Sequence, residues 1–223
     1  MSKEAFSPLA GTYIEYPEEE MKRRALEFYE EMRRRRTVRD FSDRPIPEGV
    51  IENCIRTAAT APSGANIQPW HFVVVRDPSV KQRIHEEAEK IEQEFYTSEA
   101  TRKWVEALRP LHTGPSKPFL KTAPALIVIF AELYGLLPSG EKVKHYYVKE
   151  SIGIATGMLI SSIHHAGLVS LTYTPYKMGF LNDILARPVN EKPFMILVVG
   201  YPAEGAVVPN ITKKPFEEIV TYV

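Results

Sequence analysis

Several groups of residues in this chain have the types and spacing to do chemistry. Arg33, Arg34, Arg35 and Arg36 run into Thr37, Val38 and Arg39, where a helical pattern gives way to an extended one. The planar guanidinium fork matches a phosphate bidentately, so the run could hold a phosphorylated ligand. Basic residues also favour the C-terminal end of a helix dipole, and as a bare pattern such a run is more often a solvated helix end. Ala61-Pro62-Ser63-Gly64-Ala65-Asn66-Ile67-Gln68-Pro69-Trp70 is an uncharged, turn-rich segment that exposes a hydroxyl and backbone N–H groups before a strand. Leu171-Thr172-Tyr173-Thr174-Pro175 ends a strand with two hydroxyls around a tyrosine, a composition that β-propensity alone explains. Glu92 and Tyr96 share a helix face, and Lys117 follows in an irregular stretch. Together they complement the ammonium and carboxylate of an amino acid, although each alone is an ordinary solvated group.

The elements that must position these residues follow from periodicity. Met21, Ala25, Leu26, Phe28, Tyr29 and Met32 predict an amphipathic helix over 18–34, and Val50, Ile51, Cys54, Ile55 and Ala58 a second, with Pro47 in its first turn. Strands are expected at 72–75, 126–130, 168–172 and 195–199, and helices at 79–97, 101–108, 147–166 and 181–186. The stretch 138–144 reads as a polar turn, and Gly167 as the cap of the long helix. Gly153, Gly157 and Ser161 form a row of small side chains on that helix, suited to a close helix contact within or between subunits. Clustered helices among four strands point to an α+β sandwich rather than regular alternation.

Composition bounds the function. With 223 residues, 44 % hydrophobic and 25 % charged, the chain has the make-up of one globular domain, 1–223. Lys plus Arg (28) balances Asp plus Glu (28), so no global field recruits nucleic acid or an anionic membrane. No aromatics interleave with the arginine run to stack bases. The longest apolar run, near 123–131, is of strand length, and residues 1–20 lack the pattern of a signal peptide. Cys54, the single cysteine, excludes an internal disulfide, suits a reducing compartment and reads as a small core residue. His164 and His165 have no ligand at helical spacing, so no metal site is expected.

The Arg35-Arg36-Thr37-Val38-Arg39 start, followed after one helix by Ala61-Pro62-Ser63-Gly64 and then Pro69-Trp70, resembles the FMN-binding signature of the nitroreductase superfamily. The Glu92-x-x-x-Tyr96 spacing with the later Lys117 resembles the zwitterion clamp of its iodotyrosine deiodinase branch. The likeness spans about 28–220 and takes in Trp104, Thr122-Ala123-Pro124, His145-Tyr146-Tyr147 and Gly200-Tyr201-Pro202, for which structural roles are expected. It implies a nitroreductase-like three-layer α+β sandwich, with a central, mostly antiparallel sheet flanked by helices, in a domain-exchanged homodimer.

The resemblance also assigns roles. Arg35, Arg36, Thr37, Val38 and Arg39 hold the phosphate and polar edge of FMN, and Pro62, Ser63 and Gly64 line the flavin across the subunit boundary. Thr172, Tyr173 and Thr174 approach the flavin, Thr174 donating to N5 in a way that favours one-electron steps. Val208 to Pro215 resembles the terminal basic motif of the family, with Lys214, or its neighbour Lys213, where an arginine usually meets the phosphate. That replacement keeps the charge and loses the fork. Glu92, Tyr96 and Lys117 clamp the zwitterion of mono- or diiodotyrosine under a lid at about 88–118, and the N–H of Ala65 holds the phenolate.

The implied reaction is FMN-dependent reductive dehalogenation releasing halide and tyrosine. Its electrons come from NAD(P)H or a flavin or ferredoxin reductase system. The animal members carry an N-terminal anchor that this chain lacks, which leads to the expectation of a cytoplasmic, microbial protein without membrane or nucleic-acid partners. A general NAD(P)H nitroreductase or quinone reductase, and a flavin or aromatic amino-acid sensor, are the alternatives.

Overall fold

A computed structural model describes residues 9–111 and 113–223, so part of the 1–20 stretch lies outside the described residues. The chain divides into two compact units, Met1–Arg35 and Arg36–Val223. In the first, a short turn at Leu9–Gly11 precedes α1 (Glu18–Arg33), whose first turn is acidic and last turn basic, matching the helix dipole. Ion pairs such as Arg23 with Glu20 and Glu27 lace its surface. Its apolar residues Met21, Leu26, Phe28 and Tyr29 are all more than half exposed. Arg35 ends this unit with its N–H on the Met32 carbonyl.

The second unit is built on one four-stranded sheet. Its elements are α2 (Val50–Ala59), β1 (Trp70–Val75), α3 (Pro78–Thr97), α4 (Arg102–Leu108), α5 (Phe119–Thr122), β2 (Ala125–Glu132), β3 (Tyr134–Leu136), β4 (Lys142–Lys144), α6 (Val148–His165), β5 (Val169–Tyr173), α7 (Phe180–Ile184) and β6 (Glu191–Gly200). The strand order is β1-β2-β6-β5 and every neighbouring pair is antiparallel. The unbroken apolar run of β2 has a simple cause. Leu126, Val128 and Phe130 face one core with α3, α5 and α7, while Ala125, Ile127, Ile129 and Ala131 face another with α2 and α6. A strand buried on both faces cannot alternate in polarity, and the outcome is three layers.

Two local readings need correction. Pro47 precedes α2 rather than entering it, because Gly49 adopts φ 80° and ends the preceding turn there. The stretch read as a polar turn is the hairpin β3–β4, too short for an apolar pattern, with His145 Nδ1 3.0 Å from the Glu132 carbonyl at its base. Of the two places left open for the Gly153–Gly157 row, a close contact within the chain is not seen among the described residues: both glycines are exposed, and a Cβ at either would meet no described atom within 4 Å. Cys54 lies in the α2–α6 core, as its apolar setting implied. Gly200 is required by contact, since a Cβ there would sit 2.6 Å from Pro124 Cδ and 3.2 Å from Phe41 Cδ1. The two motifs given structural roles, at 122–124 and 200–202, therefore brace one another. No helix among the described residues is long and apolar enough to cross a membrane.

Candidate active site

The site is assembled where α3, the segment after α4, and the end of β5 meet. Asp77 starts α3 by accepting from the N–H groups of Ser79 and Val80 at 2.8 and 3.0 Å, with Pro78 in the first turn. The helix runs 20 residues, long enough to carry Glu89, Glu92, Phe95 and Tyr96 on the face turned to residues 113–119. Ile84 and Ala88, on the same helix, are fully buried in the core it shares with β2, α5 and α7, so the helix is firmly seated.

A cavity of about 340 Å³ opens there, lined by Arg39, Glu92, Tyr96, Lys117, Thr172, Tyr173 and Thr174 among others. Glu92 and Lys117 are 7 % and 6 % exposed, an unusual degree of burial for either charge. The burial is tolerated because they pair: Lys117 Nζ lies 3.2 Å from Glu92 Oε2 and donates to the Gly114 carbonyl at 2.6 Å. The ammonium is also 5.3 Å from the centre of the Tyr96 ring and 5.7 Å from that of Tyr173. Burial pushes the Lys117 pKa down, opposed by the neighbouring Glu92 carboxylate. Tyr96 shares a 2.8 Å hydrogen bond with the Thr113 hydroxyl. The three residues expected to form a clamp therefore come together in one cavity, with Lys117 against both Glu92 and the Tyr96 ring.

Tyr173, expected against the flavin, and Glu89, which the sequence reading did not single out, also belong to this cluster. Tyr173 donates its hydroxyl to Glu92 Oε1 at 2.9 Å, and burial beside that carboxylate pushes its pKa far up. The alternation of β5 explains why: Leu171 and Tyr173 face the core, whereas Thr172 and Thr174 are exposed on the other side. The Tyr173 side chain thus faces the clamp, while its neighbours Thr172 and Thr174 present their hydroxyls elsewhere on the cavity wall. Glu89, one turn before Glu92, accepts from Ser116 Oγ and the Lys117 N–H, both at 2.9 Å. Burial raises its pKa, but these bonds outweigh it and hold the carboxyl below its ordinary value. The i, i+3 spacing of the two glutamates was the available signal. Trp104, expected to be structural, lines the cavity and packs edge-on to Phe95 at 5.3 Å.

The arginine segment is placed by an irregular sheet edge. Thr37 bridges Ser170 in parallel, with the Val38 N–H on the Ser170 carbonyl at 3.3 Å, so 36–39 runs beside β5 and delivers Arg39 to the cavity. Arg36 donates through Nη2 to the Pro209 carbonyl, anchoring the tail that carries Lys213 and Lys214, both exposed and outside the cavity lining. The Pro62–Ala65 loop also lies outside that lining. Ser63 Oγ accepts from the Gln68 N–H at 2.9 Å, and Ala65, Asn66 and Gln68 take left-handed backbone conformations. Gly64 packs on the start of α6: a Cβ there would lie 2.8 Å from Tyr147 Cδ2. Within one chain the expected residues thus do not all share one cavity.

The nitroreductase family model matches residues 32–201. The chain belongs to the nitroreductase family. An iodotyrosine deiodinase of Haliscomenobacter hydrossis is 54% identical over 212 residues, covering 95% of each chain. Human iodotyrosine deiodinase 1 is 44% identical over 223 residues, all of this chain and 77% of that one. Among solved structures, oxidized iodotyrosine deiodinase bound to FMN and 3-iodo-L-tyrosine aligns with a TM-score of 0.72 at 31% identity, covering 88% of this chain and 98% of that one. The α+β sandwich read from the sequence is therefore the family fold, and the family is one of oxidoreductases.

Proposed function

We propose that this protein is an FMN-dependent halotyrosine dehalogenase of the iodotyrosine deiodinase type, acting on mono- and diiodotyrosine. The observation that carries the reading is the buried convergence of Glu92, Tyr96 and Lys117 in the same cavity as Arg39, Thr172 and Thr174. A buried carboxylate–ammonium pair beside a phenol is complementary to a zwitterion. A general nitroreductase has no use for it.

The residues present suit FMN. Arg36 and Arg39 on an extended segment, with Arg35 before them, supply guanidinium forks for a phosphate. Thr37 and Thr174 supply hydroxyls, the latter for flavin N5, and Lys214 a further cation. Pro62, Ser63, Gly64 and Ala65 would serve the flavin and phenolate of the second subunit in a homodimer. Support for that assembly comes from the place of the Pro62–Ala65 loop outside the cavity in one chain and from the exposed glycines of α6. The reduced cofactor supplies two electrons, singly in this reading, drawn from NAD(P)H or a reductase system.

The chain's own residues bind and orient. The substrate ammonium displaces Lys117 from Glu92, and Lys117 with Tyr96 turns to the carboxylate. Segment 88–118 closes as a lid and excludes water, aligning the ring for reaction. Two electrons and one proton then replace the halogen: the carbon–iodine bond breaks, a carbon–hydrogen bond forms, and iodide leaves with tyrosine. A cytoplasmic setting belongs to the same proposal, supported by the free, buried Cys54.

The test is titration of the yellow protein with diiodotyrosine, following flavin fluorescence, then anaerobic iodide release with a chemical reductant. Saturable quenching and iodide release that weaken in Glu92→Gln are expected. Flavin without any diiodotyrosine response would return the protein to the general nitroreductases.

A further inference from the structure

We propose that Tyr173 is a positioning residue of the substrate site, its hydroxyl holding one oxygen of Glu92 so that the other is presented to the substrate ammonium. This rests on the zwitterion-clamp reading above. The two carboxylate oxygens are divided: Oε1 takes the Tyr173 hydroxyl at 2.9 Å, and Oε2 faces Lys117 Nζ at 3.2 Å. A carboxylate only accepts, so Tyr173 is the donor in this bond. When Lys117 moves to the substrate carboxylate, Oε2 is released and Oε1 is not. Tyr173 then keeps Glu92 from rotating and satisfies the half of it that the substrate does not reach.

Tyr173 is itself fixed. Its ring is 7 % exposed, sits edge-on to Phe119 at 5.6 Å and 77°, and is carried by a strand hydrogen-bonded along its length to β6. Glu92, on α3, can choose rotamers; Tyr173 removes that choice before substrate arrives, which is how pre-organisation raises affinity. The raised pKa of the phenol keeps it a donor across the working pH range.

The experiment compares FMN-loaded wild type, Tyr173→Phe and Glu92→Gln, measuring the dissociation constants of 3-iodotyrosine and of 2-iodophenol, which has no zwitterion. Tyr173→Phe keeps the packed ring and removes one hydrogen bond to a charged group, so iodotyrosine binding should weaken about tenfold. Its 2-iodophenol constant and flavin content should match wild type. Equal loss for both ligands would assign Tyr173 a merely structural role and overturn the inference, as would no loss for iodotyrosine while Glu92→Gln weakens it. If Glu92→Gln also leaves iodotyrosine binding unchanged, the clamp reading falls, and this inference with it.

Discussion

The self-paired clamp can be tested by its stability cost before any substrate is added. Glu92 and Lys117 are 3.2 Å apart and almost fully buried, so at an effective dielectric of about 20 their attraction is roughly 5 kcal/mol. Desolvation consumes most of it, and the large effect appears only when one partner is removed, at about 3–5 kcal/mol. Glu92→Gln should lie at the low end, near 3 kcal/mol, because the amide oxygen can still accept and Lys117 retains the Gly114 carbonyl and two aromatic rings. For a chain of this size that lowers Tm by roughly 6–12 °C. Lys117→Met strands Glu92 and should cost a similar amount. The double variant should return to within about 1 kcal/mol of wild type, since neither charge is left alone. Thermal and urea unfolding at one fixed FMN concentration would measure the cycle. Single variants as stable as wild type, with additive effects in the double, would mean that the pair is not buried as described.

Glu89→Gln should weaken iodotyrosine binding several-fold while sparing 2-iodophenol, because it loosens the bonds that hold Ser116 and the Lys117 backbone; a dissociation constant equal to wild type for both ligands would assign that carboxylate no part in the site. The lowered Lys117 pKa carries a signed pH effect. Because the folded value lies below the unfolded one, the fold gains stability as pH rises toward about 10.4, whereas binding, which needs the ammonium, is lost over the same window. Lys117→Arg, which does not titrate there, should extend the alkaline limb of the binding profile upward. Gly200→Ala should destabilise by about 1–3 kcal/mol in urea unfolding, since its Cβ would meet the ring of Pro124 with no room to move.

The sheet and long helices were legible because burial imposes a period. The β2 run, the α3 face and the capped end of α6 each follow from spacing alone. The hairpin β3–β4 was not, since two strands of three residues around a polar turn bury too little to leave a pattern. Within the site, Glu92, Tyr96 and Lys117 were named by resemblance to a spacing, and the structure brings them together. Tyr173 was expected against the flavin rather than on Glu92, and Glu89 was missed, for one physical reason: both act through hydrogen bonds that cross between elements distant in sequence, and neither the strand alternation nor the helix face says what lies opposite. That the Pro62–Ala65 loop lies apart from the cavity is likewise invisible in a linear chain.

In the proposed function, a cavity whose own ammonium rests against its own carboxylate acts as a salt-exchange site. Admitting a zwitterion trades one internal ion pair for two intermolecular ones and brings no net charge into the protein, so affinity should change little with ionic strength. A ligand tail carrying a single charge breaks the internal pair and leaves one protein charge stranded. Halophenols with both charges should therefore bind best, those with none next, and those with only an amine or only an acid worst, an order that simple counting of favourable contacts would not produce.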